Sequence, residues 1–333
     1  MKHKQLLCKE KELSVTEKSS RRDESMNTTA NGSNFWSCSS LINLSAWRTG
    51  EIISYSLILV VSLIGNSLIG LIVYKTPTMR KPINYLITNM AMSDLLFPLF
   101  TIPPLLAELQ YDWLISGPLG LALCKLFSYL PFVSYSVSGQ SHVLIAVDRF
   151  VAVVFPLRSP LIGRKLFPFI ITSTWIVALA LHSPVLGSAE VFNYPDSMFC
   201  GYFLKEAWPS LVAFNYITIG FLVILYSIIL IKLKLQAPPG EQSTNVEKQR
   251  KRRNKNVLRM VIGIFLAFLF CYVPHTTARL ILTLNFSVWF SCSFRLFTIF
   301  ANLMFIANCA VNPFICLIFS SNYRQGLRKL LKC

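Results

Sequence analysis

At 333 residues the chain is long enough for two soluble domains. However, 53% of it is hydrophobic and only 14% charged, against about 25% charged in ordinary soluble proteins. The net charge is +17, and the apolar residues are gathered into long blocks, which excludes an ordinary soluble fold.

The first residues, 1–25, are charged and read as disordered. No cleavable signal peptide is recognised there, and Met26 is a candidate initiator. Three glycosylation acceptor triplets follow, at Asn27, Asn31 and Asn43; Asn285 begins a fourth, much further along. Such triplets have meaning only on an extracellular segment, so residues 1–50 are expected to form a disordered, glycosylated outer tail.

Seven apolar blocks then follow: Ile52–Tyr74, Ile83–Ala107, Leu126–Val147, Leu166–Ala189, Ala207–Ile231, Met260–Ala278 and Leu296–Phe319. A helix needs about 20 residues to cross the hydrocarbon. Asp94 is the only formal charge in any block. The blocks lack the polar stripe of a soluble core helix and the short alternating runs of a membrane barrel. The predicted fold is therefore an all-α membrane protein, with a seven-transmembrane helix bundle over residues 51–319. Residues 320–333 are predicted to form a short amphipathic cytoplasmic helix and tail, ending at Cys333, a candidate palmitoylation site.

Basic residues orient the bundle. The loops after spans one, three and five carry 3, 3 and 9 of them and the tail 4, while the other loops carry far fewer. The positive-inside rule then puts the tail in the cytosol and the N-terminus outside, in a multi-pass plasma-membrane protein. The basic rim reads as topology and contact with anionic membrane lipid, not as nucleic-acid binding. Of nine cysteines, Cys124 and Cys200 both face the oxidising side, where a disulfide persists. Cys38 and Cys292 also lie there, as candidates for a second bridge. Cys271, Cys309 and Cys316 fall within helices and read as packing residues.

Several short motifs occur in order, each on its own helix. Gly65-Asn66 lies in span one, Asp94 in span two, Asp148-Arg149-Phe150 at the inner end of span three and Trp175 in span four. Cys271-Tyr272-Val273-Pro274 lies in span six and Asn312-Pro313 in span seven. Together they make residues 50–333 resemble the rhodopsin-like G-protein-coupled receptors. The resemblance implies a disulfide at Cys124, and a sodium ion held by Asp94, Ser138, Asn308 and Asn312, with Asn66 bonded to the same cluster. Apart from that candidate allosteric ion it implies no cofactor and no catalytic site. It implies kinks at Pro274 and Pro313, outward movement of span six, and an Arg149 paired with Asp148 at rest. It also implies coupling to a heterotrimeric G protein through Arg149, Phe150, Tyr226, Pro156 and Leu157.

The chain departs from the pattern at four places: Tyr272 for tryptophan, Thr218 for the span-five proline, Asn254 for an acidic latch, and Cys316 for the tyrosine of Asn-Pro-x-x-Tyr. Pro131 stands where amine receptors carry aspartate and Ile306 where opsins carry lysine, so neither ligand is expected. The flavour of Met79–Tyr85 and of the stretch after Asp148 is similar to neuropeptide receptors. Glu108, Asp112, Glu190, Asp196 and Glu206 crowd the outer mouth, against Lys125, Lys205, Arg279 and Arg295; a cationic extracellular peptide complements that balance. The expected ligand pocket comprises Glu108, Pro131, Tyr135, Glu190, His275, Arg279 and Asn302. A lipid or small organic ligand, and a nonsignalling trafficking partner, are the alternatives. A transporter, channel or intramembrane enzyme would need repeats, a filter or paired catalytic groups, and none is legible. His142 and His182 read as packing or interfacial residues.

Overall fold

The computed structural model describes residues 44–110, 115–155, 166–194, 197–202, 208–235, 245–285, 287–288 and 291–331. Expectations for Asn27, Asn31, Asn43, Cys38, Asp112, Pro156, Leu157, Asp196, Lys205, Glu206 and Cys333 fall outside these residues, as does the side chain of Asn254.

Seven helices among the described residues are long and apolar enough to cross a membrane. They are α1 (Leu44–Lys75), α2 (Pro82–Gln110), α3 (Gly117–Val154), α4 (Phe167–Ser188), α5 (Trp208–Leu235), α6 (Asn245–Leu284) and α7 (Cys292–Phe319). A shorter helix, α8 (Ser321–Leu331), follows α7. α4 stops one residue short of its apolar block at each end, but most of the long helices run past theirs where flanking polar residues favour helix. α6 is the clearest case: it takes in the Lys/Arg-rich run ahead of Met260, because long basic side chains cost little helix propensity. α1 begins at Leu44, ahead of the tail boundary expected at residue 50.

Apolar side chains face outward as well as inward. Ile53, Leu57, Val60 and Ile64 of α1 are all more than half exposed, an arrangement tolerable only when lipid replaces water as the surrounding solvent. The inward faces are knit by small and polar residues, as is usual where hydrophobicity does not drive helix association. A Cβ at Gly65 would lie 2.8 Å from the Pro313 ring, so glycine is what lets α1 reach the α7 kink. Asn89 of α2 donates to Ser141 of α3 (3.0 Å) and Thr174 of α4 (3.3 Å), and accepts from Trp175 Nε1 (2.9 Å).

A β-hairpin joins α4 to the segment before α5, an element the sequence reading did not anticipate. β1 (Ala189–Tyr194) pairs antiparallel with β2 (Ser197–Tyr202), with Val191 opposite Cys200. Cys200 is disulfide-bonded to Cys124 near the start of α3, with 5.6 Å between their Cα atoms. The hairpin is thereby tied over one end of the bundle, and Arg149 lies near the other end of α3. α8 buries Tyr323 and Gly326, half-buries Asn322, Leu327 and Leu330, and exposes the rest, the spacing of an amphipathic helix. Arg324 Nη1 donates to the Leu317 carbonyl at 3.0 Å, satisfying the end of α7.

Candidate functional site

Beneath the hairpin, side chains of α2 through α7 line a continuous cavity of about 880 Å³ that opens toward the hairpin end and also extends between α4 and α5. That is the size of a site that buries a small ligand or the end of a longer one. Of the residues expected to line it, Glu108, Pro131, Tyr135, His275, Arg279 and Asn302 do so. Glu190 does not: it lies exposed on β1. Placing the loop after span four as a hairpin directs this side chain away, since alternate residues of a strand face opposite sides. Among the described residues the cavity lining holds one acidic side chain, Glu108 at the exposed rim, and one guanidinium, Arg279.

The polar contacts within the cavity join different helices. Tyr135 Oη of α3 donates to Asn215 Oδ1 of α5 at 3.1 Å. His275 Nδ1 of α6 donates to Asn302 Oδ1 of α7 at 2.9 Å. Tyr202 of β2 also lines the wall. Burial raises its phenol pKa, and the nearby Arg279 guanidinium offsets part of that rise. Asn215, Tyr202, Thr101 and Phe305 were not singled out from sequence. A polar residue in an otherwise apolar block, such as Asn215, was the available signal.

The cavity floor is an aromatic stack. Tyr135 lies parallel to Tyr272, with ring centroids 5.3 Å apart; Tyr272 stacks on Phe268 at 4.8 Å, and Phe268 meets His142 at 4.5 Å. Phe305 of α7 packs against both tyrosines. Tyr272 therefore fills the place of the usual tryptophan with a flat ring two residues from the helix-bending Pro274. His142 Nδ1 donates to the Ser138 carbonyl at 2.8 Å, in keeping with a packing role.

Directly below is a polar layer around Asp94, which is 2% exposed. Ser138 Oγ donates to Asp94 Oδ1 (3.2 Å) and Asn312 Nδ2 to Oδ2 (2.7 Å). Asn308 lines the same small cavity, about 20 Å³, and its Oδ1 has no hydrogen-bond partner there. A carboxylate, a hydroxyl and a free amide oxygen are the hard oxygen donors a small cation needs, so these residues fit a sodium ion. Asn66 differs from expectation. It donates to the Ser62 carbonyl, Ser62 Oγ and the Cys309 carbonyl (3.0, 3.1 and 2.9 Å). It reaches Asp94 only through Ser62, whose hydroxyl donates to the Asp94 carbonyl at 2.8 Å.

At the opposite end Arg149 pairs with its neighbour Asp148; its Nε donates to Asp148 Oδ2 at 3.0 Å. Tyr226 of α5 is buried and stacked on Phe265 of α6 at 4.2 Å. Cys316 is 1% exposed and carries a free thiol, as do the buried Cys271 and Cys309. Tyr323 of α8 is equally buried; burial, with a smaller push from the Cys316 sulfur, raises its phenol pKa well above the usual value. Cys292 is disulfide-bonded; the expectation that Cys38 is its partner lies outside the described residues.

A multi-pass helix bundle with a deep cavity at one end and a charged arginine at the other is the architecture of a membrane receptor. Residues 65–315 match the family described as 7 transmembrane receptor (rhodopsin family). The chain is 31% identical over 311 residues to the RYamide receptor of Drosophila melanogaster, covering 87% of this chain and 66% of that one. It is 30% identical to the Allatostatin-A receptor of Bombyx mori over 84% of this chain and 79% of that one. It is 29% identical to the human Neuropeptide FF receptor 1, over 83% and 69% respectively. The chain belongs to the rhodopsin family of seven-transmembrane receptors.

Proposed function

We propose that this protein is a plasma-membrane receptor for an extracellular peptide that activates a heterotrimeric G protein. The relatives named above bind RYamide, allatostatin-A and neuropeptide FF peptides by their names, which favours a peptide over a lipid or small organic ligand. In this reading the hairpin end faces outward. The tail over 1–50, with its sequons, is extracellular, and residues 320–333 lie at the cytosolic surface. The Arg/Lys bias of the loops supports that orientation.

The observation that carries the proposal is the aromatic stack from the cavity to the α6 kink. A ligand that separates Tyr135 from Asn215, or tilts Tyr272, disturbs the residues that hold α6 against α3. Its higher affinity for the displaced arrangement shifts a pre-existing equilibrium. The arginine end of α6 then moves outward, Arg149 leaves Asp148, and the G protein docks there. Its contacts are Arg149, the loop containing Pro156 and Leu157, and the basic start of α6. Nucleotide exchange takes place on the G protein. A sodium ion, when bound, would add positive charge beside Asp94 and favour the resting arrangement. Glu108 at the rim suits a cationic side chain, while Arg279 within the cavity suits a carbonyl or other acceptor at the peptide's inserted end.

The test is a peptide-library screen on cells expressing the chain, read by G-protein dissociation. A hit is expected among short cationic peptides, and its potency should fall about tenfold or more in Glu108→Gln or Arg279→Ala, the loss of a charge-assisted contact. A hit unaffected by either substitution would place the ligand elsewhere.

A further inference from the structure

The cavity is not closed on every side within the membrane. Its lining continues between α4 and α5 to side chains that face lipid, including Val177 and Phe221, which are 51% and 44% exposed. α4 and α5 both rest on α3, and α3 forms the floor of this lateral crevice at Gly139, Gln140 and Val143. The floor is open space, since a Cβ added at Gly139 would meet no atom within 4 Å.

Gln140 supplies the chemistry. Its Nε2 donates to Ser136 Oγ (3.2 Å) and to the Thr174 carbonyl (3.3 Å). Its Oε1 accepts from no described residue and is not sealed in the interior. Along α3, Gln140 is sixteen residues from Cys124 and nine from Arg149, or ~24 Å and ~13 Å at the helical rise. The carboxamide is therefore at hydrocarbon depth, where water does not compete and an unpaired acceptor is costly.

We infer that the crevice between α4 and α5 is a second binding site, entered from the bilayer, for a single-chain amphiphile whose hydroxyl donates to Gln140 Oε1. The apolar chain lies along Val177, Ile217 and Phe221. A phospholipid does not fit this chemistry, because its charged headgroup cannot sink to that depth. An ionised fatty acid does not fit either, because a carboxylate has no proton to offer an acceptor. The crevice opens into the main cavity beside Tyr135 and Asn215, so its occupant touches the floor on which the proposed peptide acts. The inference itself does not depend on which peptide that is.

The probe is hexadecanol carrying a mid-chain diazirine, irradiated with the full-length receptor in phosphatidylcholine nanodiscs and mapped by mass spectrometry. Saturable labelling is expected within residues 177–181 and 217–221, along the proposed path of the chain, competed by plain hexadecanol and not by methyl palmitate, which has no donor. Gln140→Leu should weaken it about 2- to 12-fold, the range of one hydrogen bond. Gly139→Leu, whose Cβ enters open space, should abolish it and decides the matter if the first variant folds poorly. Labelling that rises linearly with probe, that survives Gly139→Leu, or that methyl palmitate competes as well as the alcohol overturns the proposal.

Discussion

The buried hydroxyl of Tyr323 offers a sharp test of how α8 is held. Tyr323 is 1% exposed, shares a buried core cluster with the equally buried Cys316, and its Oη has no hydrogen-bond partner among the described residues. Leaving a buried hydroxyl unpaired costs about 1–3 kcal/mol, whereas an apolar group of the same shape carries no such cost. Tyr323→Phe removes that one oxygen and leaves the ring in place. It should therefore stabilise the receptor, by about 1–3 kcal/mol, or a few degrees in melting temperature for a domain approaching this size. The three buried free thiols, Cys271, Cys309 and Cys316, provide the readout. A thiol-reactive fluorogenic dye should report unfolding of the purified protein, with the Tyr323→Phe melt at the higher temperature. A lower melt would mean that the hydroxyl is well bonded in the native state and that the reasoning is wrong. The same packing bears on restoring a tyrosine at position 316. With Tyr323 in place, Cys316→Tyr overpacks the junction, a cost of about 1–3 kcal/mol. That cost should be relieved in combination with Tyr323→Ala.

Gly65→Ala places a methyl 2.8 Å from a rigid proline ring; it should lower the melting temperature by several degrees, a cost of about 1–3 kcal/mol, and an unchanged melt would refute the close α1–α7 contact. Cys124→Ala opens the bridge that ties the hairpin over the cavity, whose loss costs about 2–5 kcal/mol; cell-surface staining and peptide response should both be lost, and a normal response would refute the bridge's role. Tyr135→Phe and Asn215→Ala each break the hydrogen bond between these two side chains that links α3 to α5 at the cavity floor, worth about 0.5–1.5 kcal/mol. Each should raise ligand-independent signalling, and the double variant should add little to either; full additivity would show that the two side chains act separately.

The bundle was legible because lipid imposes a simple demand: backbone groups must be paired internally, so spans are long apolar runs and nothing else. Asp94 was legible for the same reason, as the single charge such a run tolerates. The cavity was half legible. Tyr135, His275 and Asn302, expected near a pocket, line the cavity. Glu190 does not, because its direction depends on a strand register that hydropathy does not report. The hairpin left local traces in the β-favouring Val191, Phe192 and Phe199 and in the Pro195-Asp196 turn signal. Those traces were overshadowed by the helical character of the rest. The roles of Asn66 and Tyr323 depend on which way a helix is rotated to within a fraction of a turn. That rotation is set by close contacts such as Gly65 with Pro313 and Gly326 with Ile72, which only three-dimensional packing reveals.

The central claim is that a peptide in the cavity drives nucleotide exchange through Arg149. The direct measurement is GTP-analogue uptake by purified heterotrimeric G proteins mixed with the receptor in nanodiscs, with and without an activating peptide. Peptide should accelerate uptake on at least one class of G protein. Arg149→Ala should abolish that acceleration while leaving peptide binding intact. Peptide binding with no exchange on any G protein, or exchange that survives Arg149→Ala, would contradict the account.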